Sequence, residues 1–360
     1  MEEADLSDDF VELFSKTVVT TKASKQFKQA ANIKELAKLL DSKRAQTIGI
    51  FINSHRLDVQ TIKDALINYN NKILDYETLS SIYSIRPQDD EIKLIQDYLK
   101  TNSEETLDKP ELFFLELSRI PAFEERIYCL VYQNKFNESI VSIDFRLNSV
   151  KTVCDELMNN DKIKKLLGII LACGNNMNAN NKLRGDADGF DLAILPNLRD
   201  VKSKDNSTTL LQYIAYFYVN KIDDSSKFPL PEPSDLSYAA NVSFQDIEKE
   251  LKRVENELRD VVSRAESVFK TTDEATHEPF KTNVETFIKN AHEELKEQQI
   301  HLSDCQKSFQ TTVNFFCVKP KSNENEVTPE YYFQLWLKLC QDFKDFWKRE
   351  TQKLSKQRLS

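Results

Sequence analysis

The side chains that most often carry out chemistry are scattered along this sequence. The chain of 360 residues has four histidines and six cysteines, and no two cysteines are spaced as a C-x-x-C pair. His292 begins the stretch HEEL, but Lys296 stands where a zinc-binding H-E-x-x-H helix carries its second histidine. Asp186 and Asp188 alternate like the start of a calcium loop, without the later acidic ligands of such a loop. With no phosphate-binding glycine loop and no G-x-S-x-G turn, the sequence predicts no enzyme, no cofactor and no metal site.

Composition and charge narrow the class of protein. The chain is 40% hydrophobic and 30% charged, with a mean hydropathy of -0.53, which indicates a buried core beneath a large solvated surface. No run of about 18 apolar residues is present, so no membrane span is predicted. Widely separated cysteines predict reduced core thiols in a cytoplasmic protein. The net charge of -9 disfavours nucleic acid as a partner, whereas basic residues concentrated in 15–44 and 344–360 favour an acidic protein partner.

Helices must position the side chains that this protein uses. Helices are predicted from about residue 33 onward, and no strand alternation interrupts them, so the fold class is all-α and elongated. Two apolar stripes with alternating steps of three and four predict long antiparallel helices over about 240–315, joined by a short link that contains Pro279. The stripes consist of Ile247, Leu251, Val254, Leu258, Val261, Ala265 and Val268, and of Phe280, Val284, Phe287, Ala291, Leu295, Leu302, Cys305 and Phe309.

One isoleucine departs from this periodicity. In AQTIGIFINSHRL, the residues Ile48, Phe51 and Ile52 fall on one side of a helix. Ile50 lies about 150° from that side at 100° per residue. Isolated exposed isoleucines are common in proteins, so periodicity alone leaves open whether Ile50 is a binding anchor or an incidental surface residue.

Glycine is rare in this chain and is concentrated in one place. The sequence has only five glycines, and Gly174, Gly185 and Gly189 occur together in the stretch 174–189. A glycine is required where a side chain would obstruct a closely approaching segment. A helix end or a turn is the alternative interpretation for each glycine taken alone.

That stretch carries a family resemblance. LACGNNMNANNKLRGDADGFDLAILPNLRDVKSKDNSTTLLQYI resembles the signature of the formin homology 2 domain, the actin-assembling domain of formins. It contains a G-N-aromatic-M-N element with one substitution, then R-G-x-A-x-G-F, then L-x-D-x-K-S before a T-L-L helix start. Similarity extends over nearly the whole chain, and its last three segments resemble the Cappuccino-type branch. The further similar segments are AQTIGIFINSHRL, LDKPELFFLELSRIP, FPLPEP, QKSFQTTVNFF and VTPEYYFQLWLKLCQDFKDFWKRE.

The resemblance implies an elongated helical architecture and a head-to-tail homodimer. Residues 1–14 correspond to the end of a lasso, 15–32 to a linker, and 33–360 to a helical body of knob, coiled coil and post. In the family, the lasso of each subunit encircles the post of the other. The positions that match the lasso-receiving post are Gly174, Asn175, Met177, Asn178, Arg184, Gly185, Gly189 and Phe190.

The resemblance also implies a function. Ile50 and Lys202 match the two family positions associated with actin contact. The expected activity is nucleation of actin filaments and processive association with their barbed ends, without covalent catalysis, in the cytoplasm and cytoskeleton. The alternative is a helical scaffold, or a module that binds filament sides or microtubules without nucleating. A GTPase-activating protein would need a catalytic arginine, and no arginine is distinguished from the others.

Several positions depart from the family pattern. Asn176 replaces the usual aromatic residue, and Ala179 stands where glycine is frequent. The lasso tryptophans are missing, because the first tryptophan is Trp336, and before residue 15 the chain offers only Leu6, Phe10, Leu13 and Phe14 for insertion into a partner. The chain is therefore expected to start inside the domain, to be monomeric or weakly dimeric, and to nucleate poorly. The proline-rich segment through which formins recruit profilin is also missing.

Overall fold

The computed structural model describes residues 36–55, 58–70, 72–179, 181, 185–222, 227–322 and 324–359. The predicted lasso end at 1–14 and linker at 15–32 lie outside these residues, as does Arg184. Within the described ranges every regular element is helical, and strand-like pairing is limited to the isolated bridges Ala37–Leu107 and Lys202–Thr209. The predicted all-α fold class is confirmed.

The α-helices of the described residues are numbered here in chain order. They are α1 (Ser42–His55), α2 (Val59–Ile67), α3 (Tyr76–Ser84), α4 (Asp89–Leu99), α5 (Lys109–Ser118), α6 (Phe123–Asn159), α7 (Asp161–Met177), α8 (Leu210–Phe217), α9 (Pro233–Ala240), α10 (Phe244–Thr271), α11 (Glu274–Phe315) and α12 (Pro329–Leu359). A 3-10 helix spans Leu192–Asn197, and a π-helical turn, Tyr218–Ile222, continues α8.

The first five helices are short because side-chain caps and prolines punctuate the chain. Asp58, Asp75 and Asp108 each occupy a helix N-cap and accept a hydrogen bond from a backbone N–H of the first turn. Pro110 follows in the first turn of α5, where its missing N–H costs little. Helices α1, α2 and α4 all pack against α5, so α5 is the centre of this small helical unit.

A bundle of three long helices forms the middle of the molecule. Helix α6 has 37 residues and packs along both α10 and α11, which gives it a length of about 55 Å at 1.5 Å per residue. Both predicted apolar stripes are buried in this bundle. The Tyr132 hydroxyl of α6 donates to the Val254 carbonyl oxygen at 2.6 Å, so a polar contact also links α6 to α10.

The link between α10 and α11 is shorter than predicted. It consists of Thr272 and Asp273, and Pro279 lies inside α11 rather than before it. A proline removes one backbone hydrogen bond from a helix. Two contacts stabilise the start of α11 here: His277 Nδ1 lies 3.1 Å from the Thr272 carbonyl oxygen, and Phe280 is fully buried. Tertiary packing thus outweighs a local signal for a helix break.

The last helix holds together the elements of the C-terminal half of the fold. Helix α12 packs against α8, α9 and the 3-10 helix. Its inner face carries large aromatic residues, among them the fully buried Tyr332, Trp336 and Phe343. No helix in the described part of the chain has the length and apolar character needed to cross a membrane.

Candidate functional site

Ile50 stands out from the surface of α1. Its side chain is 62% exposed, while its neighbours Ile48 and Phe51 are buried against the rest of the fold. Phe51 lies 6.1 Å from Phe113 of α5, measured between ring centroids. The exposure predicted for Ile50 from periodicity is confirmed. Its role in binding stays a prediction.

The segment that leads into α1 is held by a buried carboxylate. Glu111 of α5 is fully buried, and its Oε1 accepts hydrogen bonds from the backbone N–H groups of Leu39 at 2.8 Å and Leu40 at 3.1 Å. Just before these residues, Ala37 exchanges two backbone hydrogen bonds with residues 106 and 108. Charge-assisted bonds of this kind are short and directional, so the start of α1 has a defined position on α5.

Lys202 is exposed in a compact loop that ends at α8. The Ser203 N–H donates to the Thr208 carbonyl oxygen at 2.9 Å, and the Leu210 N–H donates to the Val201 carbonyl oxygen at 2.7 Å. The Asp205 carboxylate accepts hydrogen bonds from both Ser203 and Ser207, which lower its pKa to about 2. The loop is therefore closed by its own polar residues, and Lys202 projects from a defined backbone.

The asparagines of the glycine-rich stretch bond within the chain. Asn175 makes two hydrogen bonds to the backbone of Ala187, one in each direction and both 2.9 Å long. Asn178 caps the end of α7, and its Nδ2 donates to the Gly174 carbonyl oxygen at 2.8 Å. These two residues were predicted to line the lasso-receiving surface. In the structure they tie the loop after α7 back onto that helix, a role that periodicity could not reveal.

The three glycines of this stretch have different surroundings. A Cβ atom on Gly185 would lie 2.8 Å from the Asn178 carbonyl oxygen and 3.0 Å from that of Asn181. A Cβ atom on Gly174 or Gly189 would meet no described atom within 4 Å. Gly185 is therefore required by the chain itself, whereas the space beside the other two glycines is open.

The remaining predicted post residues differ in their exposure to solvent. Met177, in the last turn of α7, is 62% exposed. Phe190 is half-buried and packs against the hydrophobic core. Arg184 lies outside the described residues. Of the predicted surface, Met177 and Gly189 are thus exposed, and Gly174 is half-buried with open space beside its Cα.

Beside these residues is a groove that the sequence analysis missed. It has a volume of about 550 Å³ and lies between α7 and the end of α8. Its lining residues are Lys165, Gly168, Ile169, Ala172, Cys173, Asn176, Tyr213, Phe217, Lys221 and Ile222. The signal in the sequence was the pair of small residues Gly168 and Ala172, one helical turn apart on an exposed face of α7.

The predicted site residues form two separate groups. Ile50 lies on α1, which packs against α5. Lys202 precedes α8, whose N-cap is Thr209 and whose Tyr213 lines the groove. The structure therefore places Lys202 beside the N-terminus of α8 and Ile50 in the first helical unit.

Four of the six cysteines are buried. Burial raises the pKa of Cys129, Cys154 and Cys305 to about 12 in each case, so these thiols are protonated at neutral pH. Cys317 is exposed, so the prediction of core thiols is wrong for this residue, and Cys173 is half-buried in the lining of the groove. Among the described residues, no group of three or more His, Cys, Asp or Glu side chains is arranged to hold a metal ion.

Comparison with known proteins identifies the family. The family model described as "Formin Homology 2 Domain" matches residues 2–344. The chain is 41% identical to "Formin" of Gallus gallus over 372 aligned positions, which cover 100% of this chain and 31% of that protein. It is 40% identical to "Formin-2" of Homo sapiens, covering 98% of this chain and 21% of that protein.

A more distant relative also matches almost the whole length of this chain. "Protein cappuccino" of Drosophila melanogaster is 30% identical, over 96% of this chain and 33% of that protein. The chain thus spans a third or less of the length of each of these relatives. Because the match runs along almost the whole chain, the chain belongs to the formin homology 2 domain family.

Proposed function

We propose that this chain binds actin and that, when two copies are joined, it nucleates actin filaments and remains associated with their growing barbed ends without covalent catalysis. The family supports this proposal, because formin homology 2 domains are the actin-assembling domains of formins. The observation that carries it is Ile50, an isoleucine that is 62% exposed on a helix whose position is held by polar contacts. An exposed apolar side chain on a rigid element is the kind of residue that anchors an interface.

Lys202 supplies the second proposed contact with actin. A hydrogen bond from Ser203 to Asp205 closes its loop, which leads directly into α8. The ammonium group of Lys202 is therefore attached to an ordered backbone. A surface lysine contributes to the rate of encounter with an acidic partner more than to the strength of the final contact. We expect Lys202 to contribute less binding energy than Ile50.

The groove beside the glycine-rich stretch is the proposed docking surface for a second copy of the chain. Its floor is apolar, and Lys165 and Lys221 flank it. Residues 1–14 carry six acidic residues, no basic residue and the apolar side chains Leu6, Phe10, Leu13 and Phe14. This charge and composition complement the groove. The open space at Gly174 and Gly189 would let the backbone of that segment approach closely.

The test replaces Ile50 by alanine and measures the assembly of pyrene-labelled actin. We expect Ile50→Ala to abolish the acceleration of assembly and to leave the melting temperature unchanged, because Ile50 contributes little to its own core. Ile300→Ala is the matched control, since Ile300 is an isoleucine 54% exposed on α11. A large drop in melting temperature, or equal effects of the two substitutions, would contradict the role proposed for Ile50.

A second assay distinguishes nucleation from passive binding. Exposed basic residues at the end of α12, among them Lys348, Arg349 and Lys353, would also fit a module that binds the acidic side of a filament. Such a module would sediment with actin filaments or microtubules without accelerating actin assembly. Cosedimentation measured beside the assembly assay therefore separates the two functions.

A further inference from the structure

Arg44 connects α1 to several other elements. Its Nε donates to Oε1 of Glu91 in α4 at 2.9 Å, and its Nη2 donates to Oε2 of the same carboxylate at 3.2 Å. The same Nη2 donates to the Arg86 carbonyl oxygen at 2.8 Å, just after α3. The guanidinium also lies 5.2 Å from the ring centroid of Phe114 in α5. One side chain thus contacts three neighbouring parts of the fold.

Few apolar side chains of α1 are buried. Ile48 and Phe51 are the buried side chains of this 14-residue helix, and Ala45 and Ile52 are partly buried against the core. Apolar contacts are not directional, so they constrain the rotation of α1 about its axis less than a directional polar contact does. A two-armed arginine–carboxylate pair is strongly directional. Arg44 precedes Ile50 by six residues, so the two side chains project about 120° apart around the helix at 100° per residue.

We propose that Arg44, held by Glu91, is a positioning residue that sets the direction in which Ile50 projects toward actin. The proposal rests on the function proposed above for Ile50. The pair is partly buried, with 26% of the Arg44 side chain and 17% of the Glu91 side chain exposed, so solvent screens it less than a surface ion pair. Glu91 is itself oriented, because its Oε2 accepts the Gln88 N–H at 2.8 Å in the capping box of α4.

The experiment is a double-mutant cycle that combines Arg44→Gln with Ile50→Ala. The affinity of each variant for barbed ends is measured from the slowed elongation of preformed actin filament seeds. We expect Arg44→Gln to weaken binding on the order of tenfold when Ile50 is present, and to have little effect when residue 50 is alanine. The unfolding free energies of the same variants should be additive. If Arg44 had a purely structural role, the two substitutions would be additive in affinity as well as in stability.

Two further variants test whether the effect is specific to the two-armed pair of Arg44. Arg146→Gln is the control, because Arg146 pairs with Glu250 between α6 and α10 at similar exposure, 29% and 24%, and should leave affinity unchanged. Arg44→Lys keeps the charge without the two-armed geometry and should give an intermediate loss. If Arg44→Gln fails to fold, Glu91→Gln replaces it in the cycle.

The outcomes separate this proposal from the function on which it rests. If Ile50→Ala has no effect on barbed-end affinity, the role proposed for Ile50 is wrong. If Ile50→Ala weakens binding but Arg44→Gln does not, only the positioning role is overturned. Equal losses from Arg44→Gln in both backgrounds would also overturn it, since Arg44 would then act independently of Ile50.

Discussion

At the scale of single residues, the glycines of the 174–189 stretch perform two different tasks. Gly185 allows the chain to fold back on the end of α7, where two backbone carbonyl oxygens approach its Cα too closely for a side chain. Gly174 lies in the last turn of α7, and a Cβ atom there would meet no described atom within 4 Å apart from the backbone of its own helix. The structure of the chain explains the first glycine, and the docking of a second copy would explain the second.

Alanine substitutions at these glycines should have opposite effects on stability. We expect Gly185→Ala to lower the unfolding free energy by about 2 kcal/mol, because the new methyl group would clash with backbone atoms that cannot move independently. Gly174→Ala should raise it by roughly 0.5–1 kcal/mol, because alanine is the better helix former. Urea denaturation followed by circular dichroism measures both changes. A neutral Gly185→Ala would show that the loop after α7 adapts readily.

At the scale of elements, α11 ends in a regular hydrogen-bonded cap, but the residue in the left-handed position of that cap is not glycine. The Val318 N–H donates to the Val313 carbonyl oxygen, and the Cys317 N–H donates to that of Asn314, both at 3.1 Å. This pair of bonds is the Schellman arrangement, in which the residue after the cap adopts the left-handed conformation and is usually glycine. Here that residue is Cys317, with φ of 54°.

Replacing Cys317 by glycine should therefore stabilise the chain. The expected gain is about 0.5–1 kcal/mol, because relief of the left-handed strain exceeds the added freedom of glycine in the unfolded chain. Cys317 is exposed, so little packing is lost. Thermal unfolding measures the effect, and Cys317→Ala serves as the control, since it removes the thiol but keeps the Cβ atom. If the alanine variant gained as much stability, the thiol rather than the backbone would be responsible.

At the scale of the whole molecule, the proposed function needs two surfaces on separate parts of the chain. One surface carries Ile50 on α1, and the other is the groove between α7 and the end of α8. Two copies joined through the groove would hold several actin contacts together. Linked contacts bind at a high effective concentration and so exceed the affinity of either contact alone.

Filling the groove should therefore reduce both self-association and actin assembly. We expect Gly168→Leu to place an isobutyl group in the open groove, since no described atom lies within 4 Å of a Cβ at that position. Sedimentation equilibrium at micromolar concentration and the pyrene-actin assay measure the two effects. Ser142→Leu on the exposed face of α6 is the control. Undiminished self-association in the groove variant would place the subunit contact elsewhere.

Much of this architecture follows from the sequence because it depends on neighbours three or four residues apart. Helical periodicity alone predicted the all-α fold, the buried stripes of α10 and α11, and the exposure of Ile50. The family signature in the sequence also marks the stretch around Gly174. The helical features are patterns repeated along one face of a helix, and the signature is one continuous stretch of the chain, so no distant residue is needed to recognise either.

Other features were decided only by residues that are distant in sequence. The inward bonds of Asn175, the close approach that requires Gly185, and the groove between α7 and α8 all depend on how the loop after α7 folds back. Arg44 and Glu91 are 47 positions apart, and no spacing rule pairs them. Pro279 continues α11 because Phe280 is buried against other helices. Periodicity determines which face of a helix is buried, but only the tertiary structure decides what that face meets, because partners distant in sequence are brought together by the packing of the whole chain.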